Sequence, residues 1–90
     1  MRVEFLSYLR NITNCSHADV PAVPTAGDLI RVLGELYGTA LTGKILASNG
    51  ELGAEAVILV NGRHLVHLGG IDAPLKDDDI VRIFPVVTGG

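Results

Sequence analysis

Tryptophan is absent from this 90-residue chain, and two Tyr with two Phe make aromatics only 4% of it. So thin a supply builds no stacking platform for bases. Cations are few as well. Seven Lys and Arg against ten Asp and Glu leave a formal charge of −3, with no basic run. Nucleic acid is not expected as the main partner, because phosphate neutralisation needs clustered cations. No apolar stretch approaches the roughly 18–20 residues that span a bilayer, so no membrane partner is expected. The opening Met1-Arg2-Val3-Glu4 meets an acidic residue at once and does not read as a secretory signal. Cys15 is the single cysteine, which rules out an internal disulfide. It reads as a loop or partly buried residue, since no His or Asp is placed to activate it. A cytoplasmic, reducing location is the expectation. The sequons Asn11-Ile12-Thr13 and Asn14-Cys15-Ser16 are then accidents of a polar loop.

What is present is aliphatic. Hydrophobic residues reach 48%, enough for the core of one small domain. A chain this short buries only about 60–65% of its unfolded surface, so apolar side chains should remain outside. Alternation over residues 2–9 predicts a strand, and residues 10–15 a polar turn. Residues 16–23 are weakly strand-like, with Pro21 confining them to a sheet edge. Thr25 followed by Asp28 resembles a capping box, and Leu29, Ile30, Leu33, Leu36 and Tyr37 recur at helical spacing before Gly38. Residues 39–55 read as an irregular excursion with a short helical turn over residues 41–46. Val57-Ile58-Leu59-Val60 is a compact strand, and Asn61-Gly62 is a hairpin signal into a second strand over residues 63–66. Asp77-Asp78-Asp79 reads as a solvated turn that launches a final strand over residues 80–84. These elements imply an α+β domain, one mixed sheet packed on one main helix. Val3, Phe5, Ile58, Val60, Val81 and Ile83 are assigned to the covered face. Leu6, Leu59, Arg82 and Phe84 then face outward. Three of those four are large and apolar, and such a cluster on neighbouring strands suggests a partner.

The usual chemistry motifs fail. Gly38-Thr39-Ala40-Leu41-Thr42-Gly43-Lys44-Ile45 is nearly a phosphate-binding loop. Ile45 stands where the magnesium-binding hydroxyl belongs, and the segment follows a helix rather than a strand. His64, His67 and Asp72 are no metal site if residues three apart on a strand point to opposite faces. No nucleophile–base pair can be named, so no autonomous enzyme is expected.

The Gly89-Gly90 pair remains. Two glycines after an ordered strand form a segment without side chains, able to thread a narrow channel and present a carboxylate. That group is inert until adenylation makes it a mixed anhydride, after which a sulfur or amine nucleophile replaces AMP. The expected division is a domain over residues 1–85 and a flexible tail over residues 86–90.

Several segments carry a family resemblance: Leu9-Arg10, Thr25-Ala26-Gly27-Asp28-Leu29, Val60-Asn61-Gly62, residues 72–79, and the closing Phe84-Pro85-Val86-Val87-Thr88-Gly89-Gly90. The chain resembles the β-grasp, ubiquitin-like sulfur carriers, most closely the small subunit of molybdopterin synthase. Val86 departs from a second proline common in that family. The resemblance implies that an adenylating enzyme of the ubiquitin-activating type activates Gly90 with ATP, and that Gly90 becomes a thiocarboxylate. It implies that the tail, Gly89 included, enters the large synthase subunit and gives its sulfur to a pterin precursor. Leu6, Leu59, Phe84, Pro85, Val86, Val87 and Thr88 are the expected partner-binding residues. No bound cofactor and no metal are expected. Lys44 and Lys76 are not expected to be catalytic, because the family's lysine belongs to the large subunit. Related carriers supply sulfur for thiazole or cysteine synthesis, and archaeal relatives also conjugate to protein lysines.

Overall fold

Strand β1, Arg2–Phe5, buries Val3 and Phe5 on one face. The computed structural model, which describes residues 1–86, ends this strand earlier than the alternation predicts. Ser7 takes φ 55° and turns the chain into helix α1, Leu9–Thr13, where a polar turn was expected. The pattern misleads because Leu9 continues the period of two while also lying four residues from Thr13. Both are buried at that helical spacing. Asn14, at φ 60°, closes the helix with its N–H on the Arg10 carbonyl.

Strand β2, His17–Asp19, pairs antiparallel with β1 at the sheet edge. Helix α2, Ala26–Tyr37, starts where the cap was read. Thr25 Oγ1 accepts the Asp28 N–H at 3.3 Å and donates to Asp28 Oδ2 at 2.9 Å. A side-chain cap of this kind contributes about 1 kcal/mol. Gly38 ends the helix at φ 76° and begins α3, Thr39–Ile45. This segment is more regular than the expected excursion, because Leu41 and Ile45 bury one turn apart.

Strands β3, Ala56–Val60, and β4, Arg63–His64, are joined by Asn61 at φ 52° and Gly62 at φ 83°. Left-handed angles at both positions match the twist of the flanking strands. β4 is shorter than the expected 63–66. Leu65–Leu68 winds into a 3-10 turn, with the Val66 N–H on His64 Nδ1 at 3.2 Å, and Gly70–Asp72 forms another. Strand β5, Ile80–Pro85, completes a sheet ordered β2-β1-β5-β3-β4. β1 and β5 are parallel and the other neighbours antiparallel. A parallel pair needs a long crossover, and the segment between them carries the helices over one face. Val3, Phe5, Ile58, Val60, Val81 and Ile83 are buried there in one cluster with Leu29, Ile30, Leu33, Leu41 and Ile45. That is the covered set read from alternation. Each such aliphatic side chain contributes about 1.5–3 kcal/mol on burial.

Candidate functional site

Among the described residues the helices pack on the covered face, and the side chains of the other face follow from register. Glu4 on β1, Arg82 on β5, Leu59 on β3 and His64 on β4 form one row across the strands. Val57 lies beside Phe84 in the next row. Leu6 extends the parallel ladder one step beyond β1, with its N–H on the Ile83 carbonyl at 3.0 Å. Its side chain is 38% exposed, whereas Leu59 and Phe84 are half-buried. The three apolar residues assigned outward therefore share a face. Phe84 is less open than that assignment implied.

Charge lies beside this apolar group. Glu4 takes Arg2 Nε on one carboxylate oxygen at 2.8 Å and Arg82 Nε on the other at 2.7 Å. The hydrogen bond from Arg2, then that from Arg82, holds its carboxyl below the ordinary glutamate range, against a smaller opposing effect of desolvation. Two guanidiniums thus flank one carboxylate on the open face, with Asp19 of β2 opposite Arg2 in the ladder. Sequence reasoning missed this network. The signal was available in the outward parity of Glu4 and Arg82, but it needed the parallel β1–β5 pairing to join them.

The closing residues divide sharply. Pro85 was expected in the partner-binding set, yet it is buried, since it shares the parity of Val81 and Ile83 on β5. Val86 is 38% exposed, and its N–H bonds the Glu55 carbonyl at 2.9 Å. Val87, Thr88, Gly89 and Gly90 lie outside the described residues. Beside this exit Lys44 Nζ stands 3.5 Å from Glu55 Oε2 and 6.0 Å from the Tyr8 ring centroid.

Other sequence candidates resolve as follows. The near phosphate-binding segment is largely α3, whose amides serve a helix instead of a loop cradle. The His64 and His67 rings do meet, 5.7 Å apart. Strand alternation does not apply there, because β4 stops at His64 and the 3-10 turn Leu65–Leu68 follows. Among the described residues no group of three or more His, Cys, Asp or Glu is arranged to hold a metal ion. None of their helices is long and apolar enough to cross a membrane. Cys15 is half-buried with Sγ 3.5 Å from the Tyr37 hydroxyl. The acidic turn is not wholly solvated. Asp79 is buried, accepting from Asn61 Nδ2 and from the Lys76 N–H, both at 2.8 Å.

Comparison with known proteins agrees with this architecture. A family model described as the ThiS family matches residues 3–90. "Small archaeal modifier protein 3" of Haloferax volcanii is 41% identical over 66 residues, covering 73% of this chain and 70% of the relative. A "putative sulfur carrier protein" of Archaeoglobus fulgidus is 38% identical over 66 residues, covering 73% and 74%. The solution structure of small archaeal modifier protein 1 from Methanosarcina acetivorans superposes with a TM-score of 0.83 at 28% identity. It covers 99% of this chain and 94% of that one. The fold is thus the ubiquitin-like β-grasp expected from the sequence.

Proposed function

The chain belongs to the ThiS family of ubiquitin-like sulfur carriers and modifiers, and from that premise we propose that Gly90 carries an activatable carboxylate. A partner enzyme of the ubiquitin-activating type supplies ATP. A carboxylate oxygen of Gly90 attacks the α-phosphorus, pyrophosphate leaves, and a mixed anhydride with AMP forms. Hydrosulfide then attacks the carbonyl carbon, the C–S bond forms as the bond to the AMP phosphate oxygen breaks, AMP leaves with the electron pair, and loss of the S–H proton leaves a thiocarboxylate. The observation that carries this reading is the family match running through residue 90, the Gly89-Gly90 pair included.

The chain's own part is presentation. Leu6, Leu59 and Phe84 supply an apolar docking face, and the Glu4 network orients a partner on it. Val86 is anchored on Glu55, and Val87, Thr88 and Gly89 are the residues that would enter the partner's channel. Within the large subunit of a molybdopterin synthase, the thiocarboxylate gives its sulfur to a pterin precursor. This work belongs in the cytoplasm, where ATP and the activating enzyme meet the carrier.

A second reading has its own support. The relative that is 41% identical is named a modifier, which favours transfer of the same activated carbonyl to protein lysines. Incubation with ATP, the activating enzyme and a sulfur donor, followed by intact mass measurement, tests the shared first step. Exchange of one terminal oxygen for sulfur is the expected result, and an unaltered terminus under all conditions refutes it. Addition of purified large subunit and pterin precursor tests sulfur delivery. Peptides joined through Gly90 to lysine in cell digests mark the modifier role.

A further inference from the structure

We infer that the open edge of β2 is a self-association site, at which a second copy of this chain pairs antiparallel through His17 and Asp19. The basis is the direction of the backbone groups. The Phe5 N–H bonds the Ser16 carbonyl and the Val20 N–H bonds the Met1 carbonyl, both at 2.9 Å. Residues 16 and 20 therefore turn their main-chain groups toward β1, and Ala18 does so with them, opposite Val3. Parity then leaves the N–H and C=O of His17 and Asp19 directed away from the sheet. β2 is the outermost strand on this side, so these groups form a template for another strand. Pro21 is next in the outward series and has no N–H. The template is thereby confined to His17 and Asp19.

Charge selects the occupant. A two-fold axis at Ala18 sets His17 opposite Asp19 of the second copy, and Asp19 opposite that copy's His17. Each pair exchanges both of its N–H···O=C bonds. His17 and Asp19 are exposed and by alternation share the open face, with Glu4 beside His17 and Arg2 beside Asp19 in the ladder. Across the junction the order runs Arg2, Asp19, then His17 and Glu4 of the second copy, and the adjacent row repeats it in reverse. A protonated His17 thus stands between two carboxylates, and each Asp19 between two cations. Opposite charges set directly across neighbouring strands are favourable.

The opposite edge of the sheet provides a contrast. β4 holds only Arg63 and His64 before the chain leaves into the Leu65–Leu68 turn. Self-pairing there sets Arg63 against His64, two basic side chains. Of the two edges, β2 is therefore the one that accepts its own copy. The axis stands perpendicular to the sheet, because the paired side chains face one way. Two five-stranded sheets become continuous, and both open faces look to the same side. Leu6, Leu59 and Phe84 stay uncovered in both copies.

The test uses the full chain at about pH 6, where an imidazole is largely charged. Sedimentation velocity over a concentration series is run beside amide hydrogen exchange. The expected result is a reversible dimer that grows with concentration, in which the His17 and Asp19 amides gain protection and the Ala18 amide does not. His17→Glu and Asp19→Lys alter exposed edge positions, so each variant should keep its fold by far-ultraviolet circular dichroism. Each sets like charges across both pairs and should weaken association at least about fivefold. An equimolar mixture of the two variants should recover it, because every altered position then meets the opposite charge. A monomer at every concentration overturns the inference. So does a dimer whose His17 and Asp19 amides stay unprotected, or a mixture that associates no better than either variant alone.

Discussion

Asn61 and Asp79 close the sheet across 18 positions of sequence, with Asn61 Nδ2 donating to Asp79 Oδ1 at 2.8 Å. The same amide accepts the Ile80 N–H on Oδ1 at 2.9 Å. The β3–β4 turn is thereby tied to the first residue of β5. Because β5 lies between β1 and β3, this tie helps decide which of its residues face outward, and a slip of one position would invert that face. Asp79→Ala is expected to destabilise the fold by about 1–3 kcal/mol, since it orphans the Asn61 amide and the Lys76 N–H. Asn61→Ala should cost a similar amount, and the double variant less than the sum. Urea denaturation of the three proteins checks this.

The open face gives a separable pair of variants. Leu6→Asp, at an exposed position, should change stability by no more than about 0.5 kcal/mol. It should weaken binding to the activating enzyme at least about tenfold, as loss of an apolar anchor does. Phe84→Asp should weaken binding too, but with a stability loss of about 1–3 kcal/mol, because the ring is half-buried. Calorimetric titration and denaturation measure both quantities. Unchanged affinity in both variants would remove this face as the docking surface.

Glu4 predicts a feature of acid stability. Its folded-state pKa lies below the ordinary value of 4.5, through the hydrogen bonds from Arg2 and Arg82. The stabilisation is present above that ordinary value and is lost as pH falls through the folded one. Glu4→Gln should flatten this part of the acid limb. Carboxyl-carbon NMR titration of the wild-type chain should place the Glu4 midpoint below 4.5.

Tyr37 predicts the opposite limb. The hydrogen bond with Cys15, then burial, pushes its phenol up from 10.0 to about 12. The protonated ring is favoured in the folded chain. Its contribution is therefore complete below 10.0 and lost as pH rises toward about 12. Cys15→Ala should bring the midpoint down, with the remaining elevation coming from burial. Ultraviolet difference titration of the tyrosinate reads the shift.

Legibility followed the range of each interaction. The Thr25 cap acts over three residues and Asn61-Gly62 over two, so both could be read directly. The alternation of Val81 and Ile83 against Arg82 and Phe84 placed β5 correctly, but the same reasoning carried β1 too far. Leu9 satisfies both the strand period and the helical one, and only the left-handed turn at Ser7 separates them. Pro85 was assigned by its place in a terminal motif, whereas its burial follows from strand parity. Asp79 looked solvated among three acids because its partner lies in another turn.

By itself the sequence determined the covered face, the main helix with its cap, and the Gly89-Gly90 pair on which the proposed chemistry depends. Period, capping and turn geometry operate between close neighbours, so composition and spacing carry them. The tertiary structure decided the contacts between distant segments. Glu4 meets Arg82 across 78 positions because the first and last strands run parallel in mid-sheet. Lys44 meets Glu55 beside Val86 because α3 returns to the end of β5. Such contacts depend on a crossover bringing remote strands into register, and no local pattern encodes the partner at the other end.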